Sequence, residues 1–220
     1  MGVLDRAWGA LRGAIPGLFR SGVTAPAQAP DWAAGRARIL LVGPTGAGKS
    51  ALVNALLGEG TAPSAAGAPV TAGTTWHGRD STLPAALGDT RGLEAAESGA
   101  QVAAFEAALA ALGPARRPHL VWLVMNAEGG RAFAGEGTLA ALAATLRREA
   151  IPHLVVLTHA EPGAAAHAGL RARIAAVMGD APVVAVNTRP LVGEDGAVLI
   201  PTHGLDALWE ASRPLLPAAG

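Results

Sequence analysis

The sequence predicts an α/β fold, a doubly wound and mostly parallel sheet with helices on both faces. Three observations carry that prediction. Short apolar runs alternate with stretches of helical periodicity along the 220 residues, as parallel strands joined by crossover helices require. Several of those runs are apolar without alternation, the pattern of strands covered on both sides. One of them, Arg38-Ile39-Leu40-Leu41-Val42, leads straight into Gly43-Pro44-Thr45-Gly46-Ala47-Gly48-Lys49-Ser50 and then into the helix-forming stretch Ala51 to Leu57. That segment is a complete G-x-x-x-x-G-K-S loop in the strand-then-helix setting such a loop needs.

Taken in order, the chain begins with Val3, Leu4, Trp8, Leu11, Ile15, Leu18 and Phe19 at helical spacing, while Arg6, Arg12 and Arg20 fall largely off that stripe. The spacing predicts an amphipathic helix over residues 1–22 with a basic polar side, interrupted at Pro16. Two uses are open to it. It can pack on the domain or on a partner, or residues 3–19 can make peripheral contact with a membrane, with Trp8 and Phe19 in the interface. A cleaved signal peptide does not fit, because charges interrupt the stretch where an apolar region should run. Residues 23–35 read as a linker rich in Ala, Pro and Gly, and residues 36–220 as the main domain.

In the Gly43 to Ser50 loop the glycines let successive backbone N–H groups turn inward around a β-phosphate. Lys49 supplies a point charge to the β- and γ-phosphates, and the Ser50 hydroxyl can ligate Mg²⁺. The helix that follows aims its N-terminal dipole at the anion, and Gly58 is placed to cap its far end. Pro44, Thr45, Gly46, Ala47, Gly48, Lys49, Ser50 and Ala51 are therefore the candidate phosphate-binding residues.

Next comes the Thr-rich stretch Pro69-Val70-Thr71-Ala72-Gly73-Thr74-Thr75. A nucleotide switch needs a hydroxyl here that reaches Mg²⁺ and the γ-phosphate and can swing away; Thr74 is the first choice, with Thr75 and Thr71 as alternatives. A short apolar segment, Leu83 to Leu87, then precedes Asp89-Thr90-Arg91-Gly92, a D-x-x-G sequence about forty residues after Lys49. Asp89 would hold Mg²⁺ through a water, and the Gly92 N–H would meet the γ-phosphate at a range only a residue without a side chain allows. Lys49, Thr74 and Gly92 are thus the candidate catalytic groups, and Ser50, Thr74 and Asp89 the candidate metal ligands. The stretch from Thr75 to Asp89 is short, so a trimmed second strand and a weakly formed third one near a sheet edge are expected.

Leu120 to Met125, Leu154 to Leu157 and Pro182 to Val186 predict further buried strands. Gln101 to Leu112, Gly137 to Glu149 and Ala164 to Met178 predict the helices between them. Leu205 to Leu215 predicts a final helix with Leu205, Leu208 and Trp209 inward.

Composition narrows the chemistry. Hydrophobic residues make up 50% and charged residues 15%, which indicates a globular rather than a disordered chain. The formal net charge is zero, so nothing points to nucleic acid. There is no cysteine, which excludes disulfides, thiolate metal sites and Cys nucleophiles. The six histidines are scattered without a His-x-x-x-His pair, leaving Mg²⁺ with the nucleotide as the one metal expected. No run approaches the ~20 apolar residues of a membrane span. The expected location is cytoplasmic, or peripheral to the inner membrane if the N-terminal stripe meets lipid.

The phosphate loop, the switch threonine and D-x-x-G in this order, with Ser50-Ala51-Leu52-Val53-Asn54-Ala55-Leu56-Leu57-Gly58 echoing an S-x-L-x-N-x-L-L-G helix start, resemble the Era-like small GTPases of the translation-factor-related (TRAFAC) class. Leu120 to Val124, followed by Asn126-Ala127 and Arg131, resembles a branch of bacterial and fungal G domains. The likeness covers about residues 36 to 213. It implies guanine specificity from a segment after the fifth strand, where the family writes N-K-x-D or T-K-x-D and this chain has Thr158-His159-Ala160-Glu161. A carboxylate there accepts from guanine N1–H and the exocyclic amine, a pair adenine does not offer. Asn187 and Thr188 stand where the family's S-A-x loop touches the base.

The resemblance implies GTP or GDP as ligand with Mg²⁺, and in-line attack of water on the γ-phosphate. Two departures imply slow hydrolysis: Leu93 replaces the water-orienting Gln after D-x-x-G, and Gly46 stands where potassium-stimulated relatives carry Asn. Help would come from Arg91, Arg131, a second copy of the chain or an activating protein. Two other functions remain open at this point, a nucleotide-gated membrane or partner docking module with little hydrolysis, and an ATPase using the same loop.

Overall fold

The computed structural model describes residues 28–62, 74–90, 98–128, 136–163 and 165–217. The expected amphipathic helix, Thr71, Arg91, Gly92, Leu93 and Arg131 lie outside them.

The run before the phosphate loop forms β1 (Ala37–Val42), five of its six positions buried. The helix after the loop is α1 (Lys49–Leu57), closed as expected by Gly58, whose φ of 108° lets its N–H reach the Asn54 carbonyl at 2.9 Å. Then follow β2 (Thr74–His77), β3 (Ala85–Thr90), α2 (Ser98–Ala111), β4 (Leu120–Asn126), α3 (Glu136–Arg148), β5 (His153–Thr158), α4 (Ala168–Met178) and β6 (Val183–Ala185). The chain continues through β7 (Leu191–Val192), β8 (Val198–Ile200) and α5 (Leu205–Ser212).

β1 to β6 make one sheet in the order β2-β3-β1-β4-β5-β6, parallel except for β2. Strand alternation divides its side chains between two cores. Leu40, Val42, Leu123, Met125 and Val155 meet Phe105 and Leu109 of α2, Leu142 of α3 and Ile174 of α4 on one face. Ile39, Leu41, Trp122, Val124 and Val156 meet Leu52 and Val53 of α1 and Leu208 of α5 on the other. Trp122, fully buried mid-strand, keeps its indole N–H satisfied by the Ser212 hydroxyl at 3.0 Å, and Ser212 donates in turn to the Leu208 carbonyl. That chain of bonds fixes the last helix to the sheet.

The second strand is the trimmed edge strand expected. The third is not weak: all six positions of β3 are buried between β1 and β2. Gly88 within it is a packing device. A Cβ there would lie 2.9 Å from Leu40 Cδ1 and 3.2 Å from the Trp76 ring, so glycine is what lets the indole close over the strand. Arg36 braces the turn before β3 by donating to the carbonyls of Gly78 (2.7 Å), Arg79 (3.0 Å) and Leu83 (3.2 Å).

The antiparallel β7–β8 hairpin was not expected from sequence, since both strands are very short. It is tied back by paired backbone bonds between Asn187 and His203, both 3.0 Å, and it exposes Leu191, Val192, Val198 and Leu199. Among the described residues no helix is long and apolar enough to cross a membrane.

Candidate functional site

Central β1 is flanked by β3 and β4, so connections leave its carboxyl end toward opposite sides and open a crevice there, where doubly wound sheets bind ligands. The phosphate loop occupies it. Gly43 is pressed against the Val124 carbonyl of β4, and any Cβ would overlap that oxygen. Gly46 and Gly48 take φ of 79° and 86°, the left-handed conformation that turns the loop into α1. Lys49, the only lysine in the chain, is buried and donates from Nζ to the carbonyls of Gly43 and Pro44, both at 3.0 Å, so its charge lies across the loop.

Ser50 Oγ donates to Asp89 Oδ2 at 2.6 Å. Asp89 is 1% exposed, and its other oxygen, Oδ1, is buried without a partner. Burial pushes the carboxyl above the usual range, while the Ser50 bond and the charges of Lys49 and His77 act in the opposite sense. A buried carboxylate with one oxygen unpartnered, beside a serine hydroxyl, is the donor set a hard divalent cation such as Mg²⁺ takes. The residues present therefore fit that ion.

The pairing register separates the two adjacent threonines. Thr74 lies opposite Thr90 and Thr75 opposite Asp89. Directly paired residues share a face, so Thr75, the alternative, is on the Asp89 side of the sheet, and Thr74 is on the other. In this arrangement Thr74, the first-choice switch residue, is on the face away from Asp89. Gly92 lies outside the described residues.

In the segment expected to meet the base, Thr158 is buried, its hydroxyl 2.7 Å from the Ala47 carbonyl and 3.1 Å from that of Met125. It holds the phosphate loop rather than facing a base, and its side chain also lies against Gly48. His159, at φ 51° and exposed, and Glu161, exposed, are presented outward by the next turn. The Glu161 N–H donates to His167 Nε2 at 3.1 Å, and the Ala160 carbonyl meets His203 Nε2 at 2.8 Å. Asn187 is buried and donates its amide to the Pro201 carbonyl, so that side chain braces the segment leading to α5. Ala51 and Thr188 come together with Asn54, Glu59 and Arg189 around a pocket of about 270 Å³ beside α1.

Sequence reasoning passed over two residues. Asn54 grips Ala62 from both sides, accepting its N–H at 2.6 Å and donating to its carbonyl at 2.8 Å. Its place in the S-x-L-x-N-x-L-L-G helix start was the available signal. His77 on β2 is buried near Asp89 with Nε2 unpartnered, its pKa lowered by burial and partly restored by Asp89 and a Thr61 backbone bond. Nothing in the alternation of β2 marks it out.

A strand, a glycine-turned loop and a helix around one lysine, with a serine on that helix and a carboxylate closing from the neighbouring strand, define a P-loop nucleotide-binding protein. The family model described as 50S ribosome-binding GTPase (MMR_HSR1) matches residues 38–159, and the chain belongs to that family of P-loop GTPases. Comparison with curated proteins gives no match. Among solved structures, Toc33 from Arabidopsis thaliana in complex with GDP and Mg²⁺ is similar at TM-score 0.53 and 17% identity, over 82% of this chain and 84% of that one. A variant of Era from Aquifex aeolicus bound to GDP·AlF4⁻ is similar at TM-score 0.54 and 20% identity, over 83% of this chain and 57% of that one. A further structure, of the chloroplast translocon components atToc33 and psToc159, aligns at TM-score 0.53 and 18% identity over 96% of this chain and 90% of that one; dimerization is described there as important for GTPase activity.

Proposed function

We propose that residues 36–220 form a G domain that binds GTP and GDP with Mg²⁺, hydrolyses GTP slowly and acts as a nucleotide-controlled switch. The observation that carries this reading is the Ser50–Asp89 pair with its buried, unpartnered Asp89 Oδ1, set beside Lys49. Family membership supports guanine nucleotide as the ligand, and the Toc33 complex shows GDP with Mg²⁺ in a similar fold. Mg²⁺ held there would neutralise phosphate charge. Ser50 would hold it directly and Asp89 through a water, and a threonine of the 71–75 stretch would join them in the triphosphate state.

The loop N–H groups and Lys49 bind and orient the phosphates, stabilising charge that develops during attack by water. Leu93 offers no hydrogen bond to that water, which supports a slow intrinsic rate and a need for help from a second copy or an activating protein. The dimerization described for the translocon components favours the second copy. Glu161 and His159 would meet the purine.

Calorimetric titration of the full chain tests the reading. Micromolar or tighter binding of GDP and GTP should fall by about 100-fold in Lys49→Ala, on the scale of charge-assisted hydrogen bonds. ATP displacing GTP at equal concentration would overturn guanine specificity while leaving the phosphate site standing.

A further inference from the structure

The end of the sheet remote from the phosphate loop carries an open, mostly apolar groove of about 370 Å³. Leu146 of α3 and Ile151 just after it, Met178 at the end of α4 and Ala181 beyond it, and Leu215 from the turn after α5 wall it. Arg147 at its side is occupied with the Met178 carbonyl at 3.1 Å, and Asp180 is an exposed acid at the rim.

The chain enters the described fold at this same end. Gln28 lies beside Arg116, Asp31 pairs with Arg116 at 3.1 Å just ahead of β4, and Arg117 pairs with Glu149 at 3.1 Å just ahead of β5. Glu149 is followed by Ala150 and Ile151, both in the groove wall. The entering residues Ala29 and Ala33 pack on Ala86 of β3, and from β3 to β6 is four strand spacings, roughly 19 Å. Residues 21–27, at about 3.3 Å each when extended, reach roughly 23 Å, enough to set what precedes them over the groove. What precedes them is the apolar stripe Val3 to Phe19, flanked by Arg6, Arg12 and Arg20, whose charge complements Asp180.

We infer that this groove is the docking site of the chain's own N-terminal segment, residues 3–19. The apolar stripe covers Ile151, Met178 and Leu215, and an arginine of its polar side meets Asp180. The hairpin residues Leu191, Val192, Val198 and Leu199 are a second exposed apolar surface, but they follow the carboxyl end of β6, at the opposite end of the sheet from where the chain enters.

The absence of cysteine makes disulfide trapping clean. Trp8→Cys, Leu11→Cys and Ile15→Cys are each combined with Ala181→Cys in the full chain, with Val198→Cys as the alternative partner. Each is oxidised at low protein concentration and read by non-reducing electrophoresis and size exclusion. At least one Ala181 pairing should give a monomeric cross-linked product in most of the protein, at least fivefold more than with Val198→Cys. Unchanged melting of the reduced variants shows that the fold is intact. Equal or greater trapping at Val198→Cys, covalent dimers in place of monomers, or no product from all three Ala181 pairings overturns the inference. So does flotation of the full chain with anionic phosphatidylglycerol vesicles that is lost on removing residues 1–22, since the stripe would then face lipid.

Discussion

The phosphate end and the proposed base end of the candidate site are built in opposite ways. Lys49, Asp89 and Thr158 are buried, and the loop between them is shaped by backbone contacts such as Gly43 against Val124. His159 and Glu161 sit exposed on a surface turn that is itself secured by His167 and His203. A group inside a packed core cannot change by even a methylene without disturbing its neighbours, whereas a surface turn tolerates new side chains. This accounts for an unmodified G-x-x-x-x-G-K-S loop in the same chain as a base segment that reads T-H-A-E. Thr158 links the two ends, because it opens the base segment yet spends its hydroxyl on the loop.

The contrast can be broken most directly at Asp89. With its pKa raised by burial, the folded state disfavours the ionised form, so at neutral pH the charge lowers the stability of the nucleotide-free protein. Asp89→Asn should therefore leave melting in EDTA unchanged or higher, while the gain in GTP affinity on adding Mg²⁺ drops by about 100-fold, near 3 kcal/mol. A melting loss of several degrees in EDTA would show that Asp89 is structural.

Glu161→Ala addresses the other end alone. The preference for GTP over ATP should fall about tenfold, roughly 1.4 kcal/mol, with Mg²⁺ dependence and melting untouched because the residue is exposed. Thr158→Val sharpens the link between the ends. Losing one hydroxyl from two buried carbonyls should cost about 1–2 kcal/mol of stability and weaken GTP and ATP by the same factor in paired titrations. A change confined to GTP would place Thr158 at the base instead.

The smallest effect lies away from both ends. Burial lowers the pKa of His119 and His153, the former helped by Arg38, the latter also by Arg147 against a restoring Ile151 bond. Their unfolded forms take up protons first, so the stability they contribute is present above about pH 6.5 and is lost as pH falls below it. Melting temperature should decline from pH 7.5 to 5.5, and His153→Asn should flatten that decline.

Much of the architecture was legible because its signals are local. The strand before Gly43, the helix capped at Gly58 and the buried run from Leu120 each follow from a few consecutive residues. The full third strand was missed because the stretch from Thr75 to Asp89 is short, and only the structure shows the Trp76 ring closing over Gly88 to complete the pairing. The β7–β8 hairpin was missed because two or three residues carry too little periodicity to announce a strand.

By itself the sequence determined the phosphate loop and its flanking strand and helix, since positive φ at Gly46 and Gly48, a lysine between loop and helix, and apolar periodicity act over a few bonds of chain. Only the tertiary structure decided that Thr75 rather than Thr74 shares the Asp89 face, that Asp89 Oδ1 is buried without a partner, and that Thr158 reaches a carbonyl 111 positions away. Register, desolvation and such long-range bonds depend on which strands lie side by side, and chain neighbours do not determine that.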